Sequence, residues 1–124
     1  MKKLVVYVAG PYTSSPCHGT RSAIDAWKVL VDNGYLPLVP HTDLIIDIVY
    51  PMDEDFWYGY TLNLLEATAD ILLRLPGKST GADREWERAG ELGLPRFRGS
   101  AEEFVVMFGS DFEVKRIERR RNVD

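Results

Sequence analysis

The stretch Ser79-Thr80-Gly81-Ala82-Asp83-Arg84-Glu85-Trp86 brings together the residue types needed to hold an anion and to do chemistry beside it. A helix entered through a small-residue, glycine-containing loop presents unpaired backbone N–H groups, which suit a phosphate or a carboxylate. A carboxylate one turn into that helix, Glu85, would stand next to whatever the loop holds. Acidic residues also collect in first helical turns simply because they complement the helix dipole. Tyr7, inside the apolar run Leu4 to Ala9, carries the same ambiguity between packing and chemistry. His41, next to Pro40, is either loop filler or a ligand contact.

Other chemistry is excluded by spacing. Gly77-Lys78-Ser79-Thr80 shares the tail of a phosphate-binding P-loop, but the glycine required five residues earlier is Leu72. No G-x-G-x-x-G follows the first apolar run, so the dinucleotide fingerprint is absent. Cys17 is the single cysteine, which rules out an intrachain disulfide. Cys17 and His18 fall in an expected flexible loop, and no paired histidines or cysteines have metal-ligand spacing. Neither a metal nor a cofactor is expected.

Elements that position these residues follow from the apolar pattern. Leu4 to Ala9 is a continuous β-branched and aromatic run closed by Gly10-Pro11, the pattern of a strand buried on both faces. From Thr20 to Asn33 the residues Ala23, Ile24, Trp27, Leu30 and Val31 recur at helical spacing, and Gly34 stops the helix. Leu36 to Val39 is a short second strand. The segment Thr42 to Met52 is open between a short helix and a lid over a site. A helix from about Asp53 to Ala69 leads into a strand, Asp70 to Leu75, and another runs from about Ala82 to Leu92. Pro95 to Phe97 reads as a fourth strand. Ser100-Ala-Glu-Glu103 and Ser110-Asp-Phe-Glu113 have capping-box spacing, so two short helices are expected to finish the chain.

This alternation predicts an α/β fold, a doubly wound and mainly parallel sheet of four to five strands with helices on both faces, flavodoxin- or Rossmann-like. In such sheets ligands bind beyond the carboxyl ends of the strands. Gly10-Pro11-Tyr12-Thr13, Pro40-His41 and Pro76 to Asp83 all fall there. The 124 residues, 45% apolar, fit one domain over the whole chain. Net charge of −4 argues against general nucleic-acid binding, although Lys115 to Arg121 is basic. No signal-like segment or apolar run of about 18 residues is present, so a soluble cytoplasmic protein without membrane contact is the expectation.

Taken in order, Val6-Tyr-Val-Ala-Gly-Pro-Tyr12, Pro40-His41, Asn63-Leu-Leu with Ala69-Asp70-Ile-Leu-Leu, and Ser79-x-Gly81-x-x-x-Glu85 with Ala89 resemble the nucleoside 2'-deoxyribosyltransferase superfamily. The resemblance runs over roughly residues 4 to 97. It implies that Glu85 is a nucleophile toward the anomeric carbon of a (deoxy)ribosyl group, with the Tyr7 hydroxyl orienting it. Gly10, Pro11, Tyr12 and His41 are then expected to contact substrate. Transferases acting on free nucleosides carry an aspartate six residues before the nucleophile. The branch hydrolysing nucleoside 5'-monophosphates carries a serine there, and this chain has Ser79. Two anions about 4 Å apart repel by about 1–4 kcal/mol, so Ser79 with the Gly81 backbone favours a phosphate-bearing substrate.

At the position where the family carries its proton-transferring aspartate, this chain has Thr61, and the nearest upstream carboxylates are Asp53, Glu54 and Asp55. Asp55 is the candidate acid. Arg21 is the one arginine near the Tyr12-Thr13 loop, where the monophosphate branch places such a residue. The expected function is N-glycosidic cleavage of a (deoxy)nucleoside 5'-monophosphate. The alternatives are base exchange on free nucleosides and nucleotide binding without catalysis. The resemblance also implies a homodimer or higher homo-oligomer, and Phe56, Trp57 and Tyr58 are either interface aromatics or buried in their own domain.

Overall fold

The computed structural model describes residues 3–12 and 16–110. Strands β1 (Val5–Ala9), β2 (Leu36–Leu38), β3 (Ile71–Arg74) and β4 (Arg96–Arg98) form one parallel sheet in the order β2-β1-β3-β4. β1 pairs on both sides, Val6 lying opposite Pro37 in β2 and Ile71 in β3. Both of the sheet's interior strands, β1 and β3, are buried along their whole length, as their unbroken apolar runs require.

Successive side chains of β1 serve opposite faces. Val6 and Val8 join Ala23, Ala26 and Leu30 of helix α1 (Pro16–Asp32) and Phe104 of α5 (Ala101–Phe108) in one core. Tyr7 and Ala9 join Leu65 of α3 (Glu54–Thr68) with Ala82 and Ala89 of α4 (Thr80–Glu91) in the other. The result is a doubly wound, Rossmann-like α/β fold of four strands with helices on both faces. α5 carries the expected capping box, the Ser100 hydroxyl accepting from the Glu103 amide and the Glu103 carboxylate from the Ser100 amide. The second capping box, at Ser110 to Glu113, lies outside the described residues. Among the described residues no helix is long and apolar enough to cross a membrane.

The open segment after β2 takes the first of its two expected forms, and one local expectation is corrected. The segment after β2 is a 3-10 turn, Pro40–Thr42, followed by a short helix, α2 (Asp43–Val49). Cys17 and His18 are not in a loop, because α1 begins at Pro16, where a proline's fixed φ suits a first helical turn.

Gly19 is the reason α1 can start that early. It is buried against the β1–α1 connection, and a Cβ there would come 1.9 Å from the Pro11 carbonyl oxygen. Gly19→Ala is therefore expected to push Pro11 and Tyr12 outward and to destabilise the protein by about 1–3 kcal/mol through overpacking. Thermal melts check this, and a melting temperature unchanged from the wild type would show that the contact relaxes freely.

Candidate functional site

Because β2 and β3 flank β1 on opposite sides, the chain reverses direction across the sheet between them, and a crevice opens at the carboxyl ends of β1 and β3. A cavity of about 550 Å³ occupies it, within the usual size range of small-molecule sites. Its lining comes from the β1 exit (Gly10, Tyr12), the turn after β2 (Pro40, His41), α2 (Asp43, Asp47), α3 (Glu54, Trp57, Tyr58, Thr61) and the start of α4.

At the α4 end, Ser79 is the N-cap, its hydroxyl oxygen accepting from the Ala82 amide at 3.1 Å. The Asp83 amide is satisfied by the Ser79 carbonyl at 3.0 Å. The first two amides of the helix, those of Thr80 and Gly81, have no intrahelical acceptor by geometry, and the Ser79 hydroxyl keeps its proton to donate. Gly81 also sits close under Tyr58, where a Cβ would come 3.2 Å from that ring. Arg84 lines the same end with its guanidinium 4.4 Å above the Tyr58 ring.

Glu85 stands one turn into α4. Its Oε2 is buried without a hydrogen-bond partner, and burial pushes the carboxyl up to about 7, against the lowering effects of the Tyr7 hydroxyl and the Arg74 charge. Tyr7 is fully buried beneath it. Burial, and then the neighbouring Glu85 carboxylate, hold the Tyr7 hydroxyl protonated well beyond its ordinary range. That hydroxyl also donates to the Thr61 carbonyl at 3.5 Å. At the cavity floor, then, a phenol that keeps its proton faces a carboxylate that gives its proton up near neutrality.

After the Tyr7 hydroxyl, Arg74 is the second influence that favours the ionised form of this poorly solvated carboxyl. Only 5% exposed at the end of β3, it donates to the carbonyls of Leu75 and Gly77 and pairs with Asp83 at 3.0 Å. It ties down the β3–α4 loop and supplies a positive charge on the Glu85 side of the sheet. His41 does similar work for the opposite loop. Its Nε2 lies 3.2 Å from the Pro11 carbonyl, which can only accept, so Nε2 carries the proton. Burial lowers the imidazole from its ordinary value, so His41 is neutral at neutral pH.

The α2–α3 wall is acidic and aromatic. Asp47 accepts from the Met52 amide at 2.9 Å and the Trp57 indole at 2.8 Å, which hold its carboxyl below the usual range. Glu54 accepts from the Tyr58 hydroxyl at 2.8 Å. Asp43 is half-buried with Oδ2 lacking a partner, and burial raises its carboxyl. Among the described residues no three His, Cys, Asp or Glu side chains converge tightly enough to hold a metal ion.

Of the residues singled out in the sequence, Gly10, Tyr12, His41, Ser79, Gly81 and Glu85 line this cavity, with Tyr7 directly behind Glu85. Pro11 contributes its carbonyl to His41, while its ring borders a neighbouring hollow. Asp55 is a correction: it is exposed and does not line the cavity. Residues 54, 57, 58, 61 and 62 make one helical stripe on α3, and Asp55 is about 100° round the helix from Glu54. Arg21 is likewise outside, exposed and paired with Asp25. The sequence reading missed Asp43, Asp47 and Glu54 as cavity carboxylates and Arg84 as its cation. The i, i+4 spacing of Asp43 and Asp47 was the available signal. Trp57 and Tyr58 are half-buried in the cavity wall, whereas Phe56 is exposed beside Tyr60 on the outer shoulder. No known protein-family profile matches the chain, and no curated protein matches it.

Proposed function

We propose that this protein is an N-glycosidase that hydrolyses the base–sugar bond of a (deoxy)nucleoside 5'-monophosphate through a glycosyl ester on Glu85. The single observation carrying this is the buried, partnerless Glu85 Oε2 at the floor of a cavity whose two ends have opposite electrostatic character. The anion-seeking end, with the Ser79 hydroxyl, the free amides of Thr80 and Gly81, and Arg84, suits the phosphate. The aromatic and acidic wall suits a base, which has a ring to stack and N–H groups to donate. Glu85 lies between them, where the anomeric carbon would sit.

A carboxylate at that point stabilises the positive charge that develops on the sugar and splits one difficult displacement into two. The family resemblance seen in the sequence supports the same chemistry, with Ser79 favouring the monophosphate branch. Also within this proposal, a second copy of the chain packs on the exposed apolar shoulder formed by Ile45, Ile48, Val49 and Phe56.

The test is a panel of ribo- and deoxyribonucleosides with and without a 5'-phosphate, read by release of free base. Release from monophosphates and not from nucleosides is expected. Ser79→Ala should cost about 1 kcal/mol of stability through the lost cap. It should also raise KM for the monophosphate about tenfold, the worth of one hydrogen bond to a charged group. Release that requires an added acceptor base would mean transfer instead.

One observation favours a second reading. Thr61 occupies the cavity wall where the family has its acid, which fits a nucleotide-binding module without turnover. Thermal stabilisation by monophosphates with no base released by any of them would decide for it.

A further inference from the structure

We propose that Asp43 is the group that protonates the departing base, the task for which Thr61 has no carboxyl. The assignment rests on the glycosidase function above. A base nitrogen leaves poorly as an anion, so cleavage calls for a positioned proton donor. Four carboxyls line the cavity: Asp43, Asp47, Glu54 and Glu85. Glu85 is committed to the anomeric carbon. Asp47 is held as the anion by two donors, the Met52 amide and the Trp57 indole. Glu54 is bound to the Tyr58 hydroxyl from an exposed first turn of α3. Asp43 alone of the wall carboxyls has a buried oxygen with nothing facing it, and such an oxygen is best satisfied by holding a proton or meeting a substrate group.

The surroundings of Asp43 favour its protonated form. The hydroxyls of Tyr7 and Tyr12 lie within range of its charge, Asp47 is one turn along α2, and His41, two residues earlier, is neutral. Burial is what raises its carboxyl, and among the described residues no cation offsets that effect. A base seated over the site pushes in the same direction by expelling water.

In the first half-reaction, an oxygen of the Glu85 carboxylate bonds to C1', the C1'–N bond breaks with its electron pair moving to the base, and the Asp43 proton passes to that nitrogen. In the second, water adds at C1', its proton goes to the Asp43 carboxylate, and the ester bond breaks to restore the Glu85 carboxylate.

The test compares a natural deoxynucleoside monophosphate with 4-nitrophenyl deoxyriboside 5'-phosphate, whose nitrophenolate departs without a proton. Asp43→Asn is expected to slow base release about 10²–10⁴-fold, the range for a general acid. First-turnover release of nitrophenolate should stay within tenfold of wild type, which also demonstrates a folded site. Asp43→Glu should recover part of the base release. Base release by Asp43→Asn within threefold of wild type would overturn the role. So would an equal loss on both substrates shared by Asp43→Asn and Asp43→Glu. If the wild type releases neither base nor nitrophenolate, the glycosidase function itself fails and the role of Asp43 with it.

Discussion

Glu85→Gln is expected to lower base release by at least about 10⁴-fold while making the protein more stable above neutral pH. In the proposed mechanism the loss follows from removing the carboxylate that bonds to the anomeric carbon, and loss of a nucleophile costs on the order of 10⁴- to 10⁶-fold in comparable covalent mechanisms. The stability gain follows from linkage. Below pH 4.5 the folded and unfolded chains both keep the Glu85 proton and there is no difference between variant and wild type. Between 4.5 and about 7 the unfolded chain releases the proton and the folded one holds it, so the wild type loses stability as pH rises. Above about 7 the penalty is constant at about 3 kcal/mol, and glutamine, with no charge to bury, avoids it. Melting curves of both proteins at pH 4 and pH 8 check this, and an equal gap at the two values would refute it. The same ionisation shapes wild-type activity: while Asp43 keeps its proton, kcat/KM should climb tenfold per pH unit toward about 7, and it should fall again where Asp43 loses that proton.

That the carboxylate proposed as nucleophile is thermodynamically unwelcome where it sits fits a site arranged for a substrate rather than for the resting fold. It also distinguishes the two meanings that Glu85 had in the sequence. A residue present only to complement the α4 dipole would point outward and keep an ordinary carboxyl. Glu85 is buried against Tyr7, with one oxygen unpartnered, and the helix dipole does nothing to require that.

What was legible in the sequence, and what was not, divides along physical lines. β1 and β3 were readable because strands buried on both faces leave unbroken apolar runs, and the capping box of α5 was readable because its partners are local. The early start of α1 was not, because Gly19 looks like a helix breaker until the Pro11 carbonyl is seen resting on it. Ser79 and Glu85 were found because loop and helix lie together in the chain. Asp43 and Asp47 were obscured because α2 is short, and its exposed Ile45, Ile46, Ile48 and Val49 mask the two carboxylates on its inner side. Asp55 is the carboxylate nearest upstream of Thr61 in the chain, but the stripe of Trp57, Tyr58, Thr61 and Leu62 is centred near Glu54 and leaves Asp55 about 90° from that centre.

Arg74 carries the second large effect, and two substitutions separate its two roles. Its fork reaches the Leu75 and Gly77 carbonyls, while its charge acts on Glu85. Arg74→Met removes both. Loss of the donor to these carbonyls should destabilise the protein by about 2–4 kcal/mol. That is a large share of the 5–15 kcal/mol typical of a domain, and it corresponds to roughly 10 °C or more in Tm. Asp83 adds little to this, since its side chain is 54% exposed and water takes over its carboxylate. Without the guanidinium charge, the acidic limb of the kcat/KM profile should move to higher pH, because one of the two influences lowering Glu85 is gone. Arg74→Lys keeps the charge and loses the fork, since an ammonium cannot reach both carbonyls in one plane. It should therefore destabilise the loop while leaving the limb closer to its wild-type position. A limb that moves equally in both variants would mean that Arg74 acts on Glu85 only by shaping the β3–α4 loop. A limb that moves in the methionine variant alone assigns the effect to the charge.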